Sequence, residues 1–237
     1  MMTMIGTGHV FNISEQVSFI VKHTWPDAVL VELDERRYAA LMNDKVDKKI
    51  SESLPKLYRG AAEYQNRASE ENGVLPGSEL LAAINAGKVV GADIICIDKD
   101  AEQTMREIEE EMSFFERTRY SVSSVTDNLF RKKKLNPAHS DFAADEERYF
   151  QNMRRKFPTL VEKLIDERNI FMAEKIRDAL EKYKNIVVVV GDGHVRGIRE
   201  LLGGTIIDTI RLADMMDQER MDDVRSRIWN RKVEELV

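Results

Sequence analysis

One cysteine, Cys96, stands in the whole chain, and it lies in an apolar run. No internal disulfide is possible, and a reducing compartment is expected. Nor does any apolar stretch approach the roughly 20 residues that span a bilayer. The opening residues Met1 to Ile5 read as a strand, leaving no room for a signal peptide, so the expected location is cytoplasmic. Basic excess is missing too. The net charge of -6 argues against a general nucleic-acid binder, and the run Arg131-Lys132-Lys133-Lys134 is read as a solvated face. What remains is 237 residues, 43% hydrophobic and 33% charged, which suits one domain spanning 1–237 with a substantial core.

The stretch Val187 to Ile198, VVVVGDGHVRGI, organises the rest. Four valines without a polar break predict a strand buried on both faces, central in a mostly parallel sheet. Gly191-Asp192-Gly193 breaks it, and His194 appears where Val195 to Leu202 turns helical. The first residues repeat the device, with Met1 to Ile5 as strand, Gly6-Thr7-Gly8 as break and His9 next. In open α/β sheets, ligands gather outside the carboxyl ends of the strands, which is where both histidines fall.

In chain order, Ser14 reads as the N-cap of a helix to His23, stopped by Trp25-Pro26-Asp27, and Ala28 to Leu33 as the second strand. Glu32 and Asp34, two apart at its end, point together and need a cation, a proton or a metal, with Arg36 and Arg37 at hand. Residues 42 to 76 are polar with a narrow apolar stripe (Ile50, Leu54, Leu57, Tyr58), a helical insertion expected to act as a lid or a homodimer contact. Ser78 then reads as a cap, with Glu79 in the first turn of the helix, where a carboxylate also simply suits the helix dipole. The third strand, Ala92 to Ile97, ends in Asp98-Lys99-Asp100. Pro158 to Tyr183 is the most periodic helix, and Arg168 falls in its apolar series Leu164, Met172, Ile176. A guanidinium there is costly unless paired, and Glu167, Asp34 and Asp98 are the available carboxylates, the alternative being an edge arginine snorkelling to water. Thr205 to Ile210 is a further strand and Leu212 to Leu236 a polar terminal helix. The fold class is α/β, a mostly parallel central sheet flanked by helices.

The Gly-x-Gly turn does not continue as a dinucleotide fingerprint, since the third glycine, Gly197, comes one position late, and no Walker lysine follows. His9, His194 and Glu32 instead make either two unrelated histidines or a two-histidine, one-carboxylate set suited to a catalytic divalent metal.

The chain resembles the TraB/PrgY pheromone-shutdown family, related to the Tiki metalloproteases and more distantly to the erythromycin-esterase and ChaN-like proteins. The resemblance is carried, in order, by Gly6-Thr7-Gly8-His9-Val10 with Ser14, Val31-Glu32-Leu33-Asp34 with Arg37, Gly77-Ser78-Glu79, and Gly91-Ala92 with Ile97-Asp98-Lys99-Asp100. It continues through Glu167-Arg168-Asn169 with Met172-Ala173, and Gly191-Asp192-Gly193-His194-Val195 with Gly197-Ile198. It implies metal-dependent peptide hydrolysis, with manganese or cobalt favoured and zinc possible, although the erythromycin-esterase branch works without a metal. Under it His9, His194 and Glu32 are metal ligands, Glu32 or Glu79 the base, and Arg168 the group facing the substrate carbonyl. Asp34, Arg37, Asp98 and Glu167 orient these groups. Many pheromone-shutdown proteins carry a C-terminal membrane region, whereas the last residues here read as a polar helix.

The competing expectation is a non-catalytic protein that binds or sequesters a signalling peptide. A nucleotide-binding regulator acting through Gly191 and Gly193 is a third, disfavoured by the late glycine and the missing lysine.

Overall fold

A computed structural model describes residues 1–8, 11–43, 75–120 and 142–234. His9, residues 44–74 of the insertion, the basic run at 131–134 and the last residues of the chain lie outside them. Five strands form one parallel sheet: β1 (Met2–Thr7), β2 (Ala28–Val31), β3 (Asp93–Cys96), β4 (Ile186–Gly191) and β5 (Ile207–Ile210). Their spatial order is β3-β2-β4-β1-β5, so the four-valine strand is the central one. The mostly parallel sheet expected from the sequence is, among the described residues, wholly parallel.

Parallel strands need crossover helices on both faces, and side-chain alternation sends each strand's apolar residues both ways. Ile5, Val29, Val31, Val187 and Val189 meet α1 (Ser14–Thr24), α3 (Ser78–Val90) and the long α10 (Gln218–Glu234). Met4, Leu30, Ile186, Val188 and Val190 meet α7 (Glu167–Leu180) and α8 (Asp192–Leu202) on the other face. The terminal helix is less polar in effect than its sequence suggests. Met221, Val224 and Ile228, spaced three and four apart, bury one stripe against α1's layer.

Other helices set the rim: α2 (Glu35–Met42), α4 (Ala101–Glu111), α5 (Phe142–Lys156), the short α6 (Pro158–Val161) and α9 (Leu212–Met216). Between α6 and α7 the backbone runs as a π-helix, Glu162–Asp166. The periodicity from Pro158 to Tyr183 therefore hides a change of helix type immediately before Arg168.

Two caps differ from expectation. Ile13 is the N-cap of α1 and Gly77 that of α3, and neither Ser14 nor Ser78 supplies the cap. Gly77 takes φ 81°, a left-handed turn that its missing Cβ permits, so the helix boundary falls one residue earlier. The cap that forms is Asp34, whose Oδ1 accepts from the Arg37 amide at 2.8 Å at the start of α2. Trp25 does end α1, in a left-handed conformation with φ 49°. Among the described residues no helix is long and apolar enough to cross a membrane.

Candidate functional site

Glu32 stands where β2 stops. Its amide still donates to Val189 O at 3.1 Å, but Leu33 N then closes a tight turn onto Val31 O at 2.7 Å. The strand thus ends at Val31, two residues before the sequence suggests, and strict alternation no longer ties Glu32 to Asp34. The buried Glu32 carboxylate crosses to the neighbouring strand, where Oε2 accepts from Gly191 N at 2.5 Å. Its Oε1 accepts from Arg168 Nη2.

Arg168 reaches the sheet edge from α7. Its Nε and Nη2 donate to the two oxygens of Asp98 at 2.8 and 2.7 Å, and Nη1 donates to the carbonyl of Leu164, within the π-helical segment, at 3.1 Å. Burial opposes the charge on Arg168, but Glu32 and Asp98 outweigh it and hold the guanidinium protonated far above its ordinary range. Asp98, just past β3, also accepts from Arg37 Nη2 and from Lys99 N, the latter at 2.8 Å. Arg37 Nε in turn donates to Asp34 Oδ2 at 2.8 Å. Burial alone would raise the Asp34 pKa, yet the Arg37 amide, the Arg37 charge and the Ala101 amide hold it below the usual carboxylate value. The result is one buried chain, Glu32–Arg168–Asp98–Arg37–Asp34, linking the ends of β2 and β3 to α2 and α7.

His194 lies in the first turn of α8, only 5% exposed. Its Nδ1 is 2.7 Å from Asn169 Oδ1, and its Nε2 is 3.5 Å from Glu32 Oε1. On the opposite flank of β4's end, Asp192 accepts from Arg211 Nε and Nη2 at 2.8 and 2.7 Å and from Leu212 N at 2.9 Å. A Cβ on Gly6 would stand 2.1 Å from Asp192 Oδ1. Glycine at position 6 is therefore what lets Asp192 lie over the end of β1 while it holds Arg211 and the Leu212 amide.

The structure thus joins Glu32, Asp34, Arg37, Asp98, Arg168 and His194. Arg36 turns away to the exposed Glu102. Glu167 faces elsewhere, between Lys99 Nζ at 2.6 Å and Lys163 Nζ at 2.7 Å. Glu79 is wholly buried in the first turn of α3, whose helix packs on the face of the sheet opposite α7 and α8. Asn169, Asp192, Arg211 and the Gly191 amide have no part in the sequence-based site. Asn169 sits in the Glu-Arg-Asn triplet and Asp192 inside the glycine turn itself, so both were within reach of a reading that asked what holds each histidine. Cys96, at the end of β3, is a free thiol held in its protonated form. Burial, then Glu35 and Asp34, push its thiol up to about 12.

Among the described residues, no three His, Cys, Asp or Glu side chains converge as a metal-ligand group. Two donors nonetheless fit a shared ion. His194 Nε2 and Glu32 Oε1 are 3.5 Å apart, close to the roughly 3.4 Å between two ligands each about 2.1 Å from one tetrahedral centre. Oε1 also accepts from Arg168 Nη2. The remaining histidine of the expected set, His9, lies outside the described residues.

The chain is 28% identical over 230 residues to the uncharacterized protein MJ1365 of Methanocaldococcus jannaschii. That match covers 92% of this chain but 58% of the relative, so the chain spans little more than half the length of the curated protein it matches. A model of the TraB/PrgY/gumN family matches residues 2–203, from β1 through α8 and so across every strand end that contributes to the site. The chain belongs to the TraB/PrgY/gumN family.

Proposed function

We propose that the chain is a hydrolase that cleaves peptides at the carboxyl edge of its sheet, between His194 and Glu32. The observation that carries this reading is the buried pair of His194 Nε2 and Glu32 Oε1, 3.5 Å apart, at the ends of adjacent parallel strands. Nothing in the core requires a buried imidazole to face a buried carboxylate there, and taking both out of water is costly. Arg168 supports the arrangement by pairing with Glu32 and fixing the direction of Oε1, while Asp98 and Arg37 hold Arg168 from behind. Glu32 is the ligand or the base, and Glu79, buried in the first turn of α3 where that helix begins at the same carboxyl edge of the sheet, is a further ligand or base. A divalent cation, manganese or cobalt in preference to zinc, would be held by His194, Glu32 and His9, and would supply Lewis acidity and a water acidic enough to ionise near neutral pH.

Turnover of a mixed peptide library by the full chain, with manganese, cobalt or zinc added, tests the reading. Cleavage lost in both His194→Ala and Glu32→Gln is expected. Cleavage that survives both changes would place the chemistry elsewhere.

One observation favours a second reading. Both Glu32 oxygens already accept hydrogen bonds, from Arg168 and from Gly191 N, as suits a carboxylate held for structure or binding. A protein that sequesters a peptide without cutting it would bind the same library and return it intact.

A further inference from the structure

Asn169 follows Arg168 on α7, and one helical step of about 100° separates their directions. Arg168 goes to the sheet edge, and Asn169 goes to α8, where its Oδ1 lies 2.7 Å from His194 Nδ1. With Oδ1 facing the ring the amide can only accept there, so this pairing calls for the proton on Nδ1 and the lone pair on Nε2. Gly197 shares in this. A Cβ there would stand 2.2 Å from Asn169 Nδ2 and 3.1 Å from its Cγ, so any side chain at 197 pushes the amide out of place. The glycine that comes one position late for a dinucleotide turn is the seat of this asparagine. Asn169 also lines a cavity of about 210 Å³ together with Phe150, Gly193 and Gly197.

We propose that Asn169 is the positioning residue of His194: seated on Gly197, it fixes the Nδ1–H tautomer and so turns the Nε2 lone pair toward Glu32. The tautomer stands on geometry alone, whereas its consequence for catalysis rests on the hydrolase reading. Outer partners of this kind set the orientation and basicity of a ligating or catalytic histidine, and losing one weakens metal binding or activity by about 10- to 100-fold.

The test is nitrogen NMR of the full chain with 15N-labelled histidine, without metal or substrate, at a pH where the imidazole is neutral. His194→Gln identifies the His194 signals. In the wild type Nδ1 should show the protonated, pyrrole-type shift and Nε2 the pyridine type. Asn169→Asp, whose carboxylate also only accepts, should keep that pattern. Asn169→Leu and Gly197→Ala should both lose it, giving mixed or Nε2–H signals, while manganese affinity falls tenfold or more in each. A wild type with its proton on Nε2 would overturn the proposal, as would unchanged Nδ1–H signals in both Asn169→Leu and Gly197→Ala. Should those two variants lose their cooperative melts, the wild type and Asn169→Asp still decide the tautomer. Absence of peptide turnover with the Nδ1–H pattern intact would refute the hydrolase reading and leave this one standing.

Discussion

Two charged systems flank Arg168, and they begin one residue apart. Arg168 belongs to the buried chain with Glu32, Asp98, Arg37 and Asp34, where the Asp98 side chain is 1% exposed and that of Glu32 7%. Glu167 belongs to a brace of Lys99, Lys163, Glu107 and Glu111 between α4 and α7, where the lysines are mostly covered but the carboxylates reach water, Glu167 30% and Glu111 53% exposed. Both link helix to helix through the same functional groups. In the brace, each pair trades a modest Coulomb gain in a watery medium against side-chain entropy. In the buried chain Glu32, Asp98 and Arg168 have left most of their water, with Arg37 at 35% the exposed end, so those three depend on one another. One step along a helix is enough to move a charge from one regime to the other.

The largest effect that would sharpen this contrast is Arg168→Met. It removes the guanidinium that joins Glu32 to Asp98 and leaves Glu32 without its arginine, so stability should fall by about 3–5 kcal/mol in urea unfolding, with turnover lost by at least about 100-fold. A variant with wild-type stability and full turnover would erase the distinction between the two systems. Next comes Asp98→Asn, which keeps the shape but weakens the acceptor of both arginines, at about 1–3 kcal/mol. Combined with Arg168→Met its cost should be far from additive, with a coupling of about 0.5–3 kcal/mol; strict additivity would mean that the residues do not act as one chain.

A smaller effect concerns acid. Asp34 is held below its ordinary pKa, so its stabilising charge is fully present above the unfolded value of about 3.9 and is lost as pH falls through the lower folded value. Against Asp34→Asn, the wild type should be more stable near neutrality by an amount on the order of 1 kcal/mol. That gap should close as melts are taken down from about pH 4. A gap that widens in acid would reverse the assignment. Smallest of all is Glu167→Gln. Lys163 and Lys99 hold this carboxylate below its usual range, yet it is partly exposed, so melts should move by less than about 1 kcal/mol and still less in 1 M salt. A loss as large as that of Arg168→Met would show that the brace is as critical as the buried chain.

The sheet was legible because a buried parallel strand leaves a continuous apolar run, and Val187 to Val190 has no other comfortable reading. Arg168 was legible for the opposite reason, as a charge out of place on an apolar stripe that had to find a carboxylate. Asp98 was foreseen as a partner, whereas the link to Glu32 required knowing that β2 and β4 are neighbours, and strand order is not written in any one strand. Glu32 and Asp34 were expected to act together. Once the chain turns at Leu33, period two fails, and the pair communicates only through two arginines and Asp98. The π-helical segment was invisible, since its residues keep the apolar spacing of the helix around it. Asn169 went unnoticed because a polar residue beside an arginine signals nothing until the helix that faces it is known. The metal set depends on His9, which lies outside the described residues, so the structure leaves that expectation where the sequence put it.

The position of β1 has a consequence for how the molecule comes to exist. Among the described residues this strand pairs with β4 and β5, and about 180 residues separate its end from the start of β4. Made at about 5–20 residues per second, the ribosome delivers β4 roughly 10–35 s after β1, and until then an apolar strand with no native partner is in solution. β2 and β3 can join earlier, but the central strand that unites them with β1 comes late. Closure of such distant contacts is intrinsically slow. The His194 turn is made in the same stroke as β4, so the site cannot assemble before the sheet does.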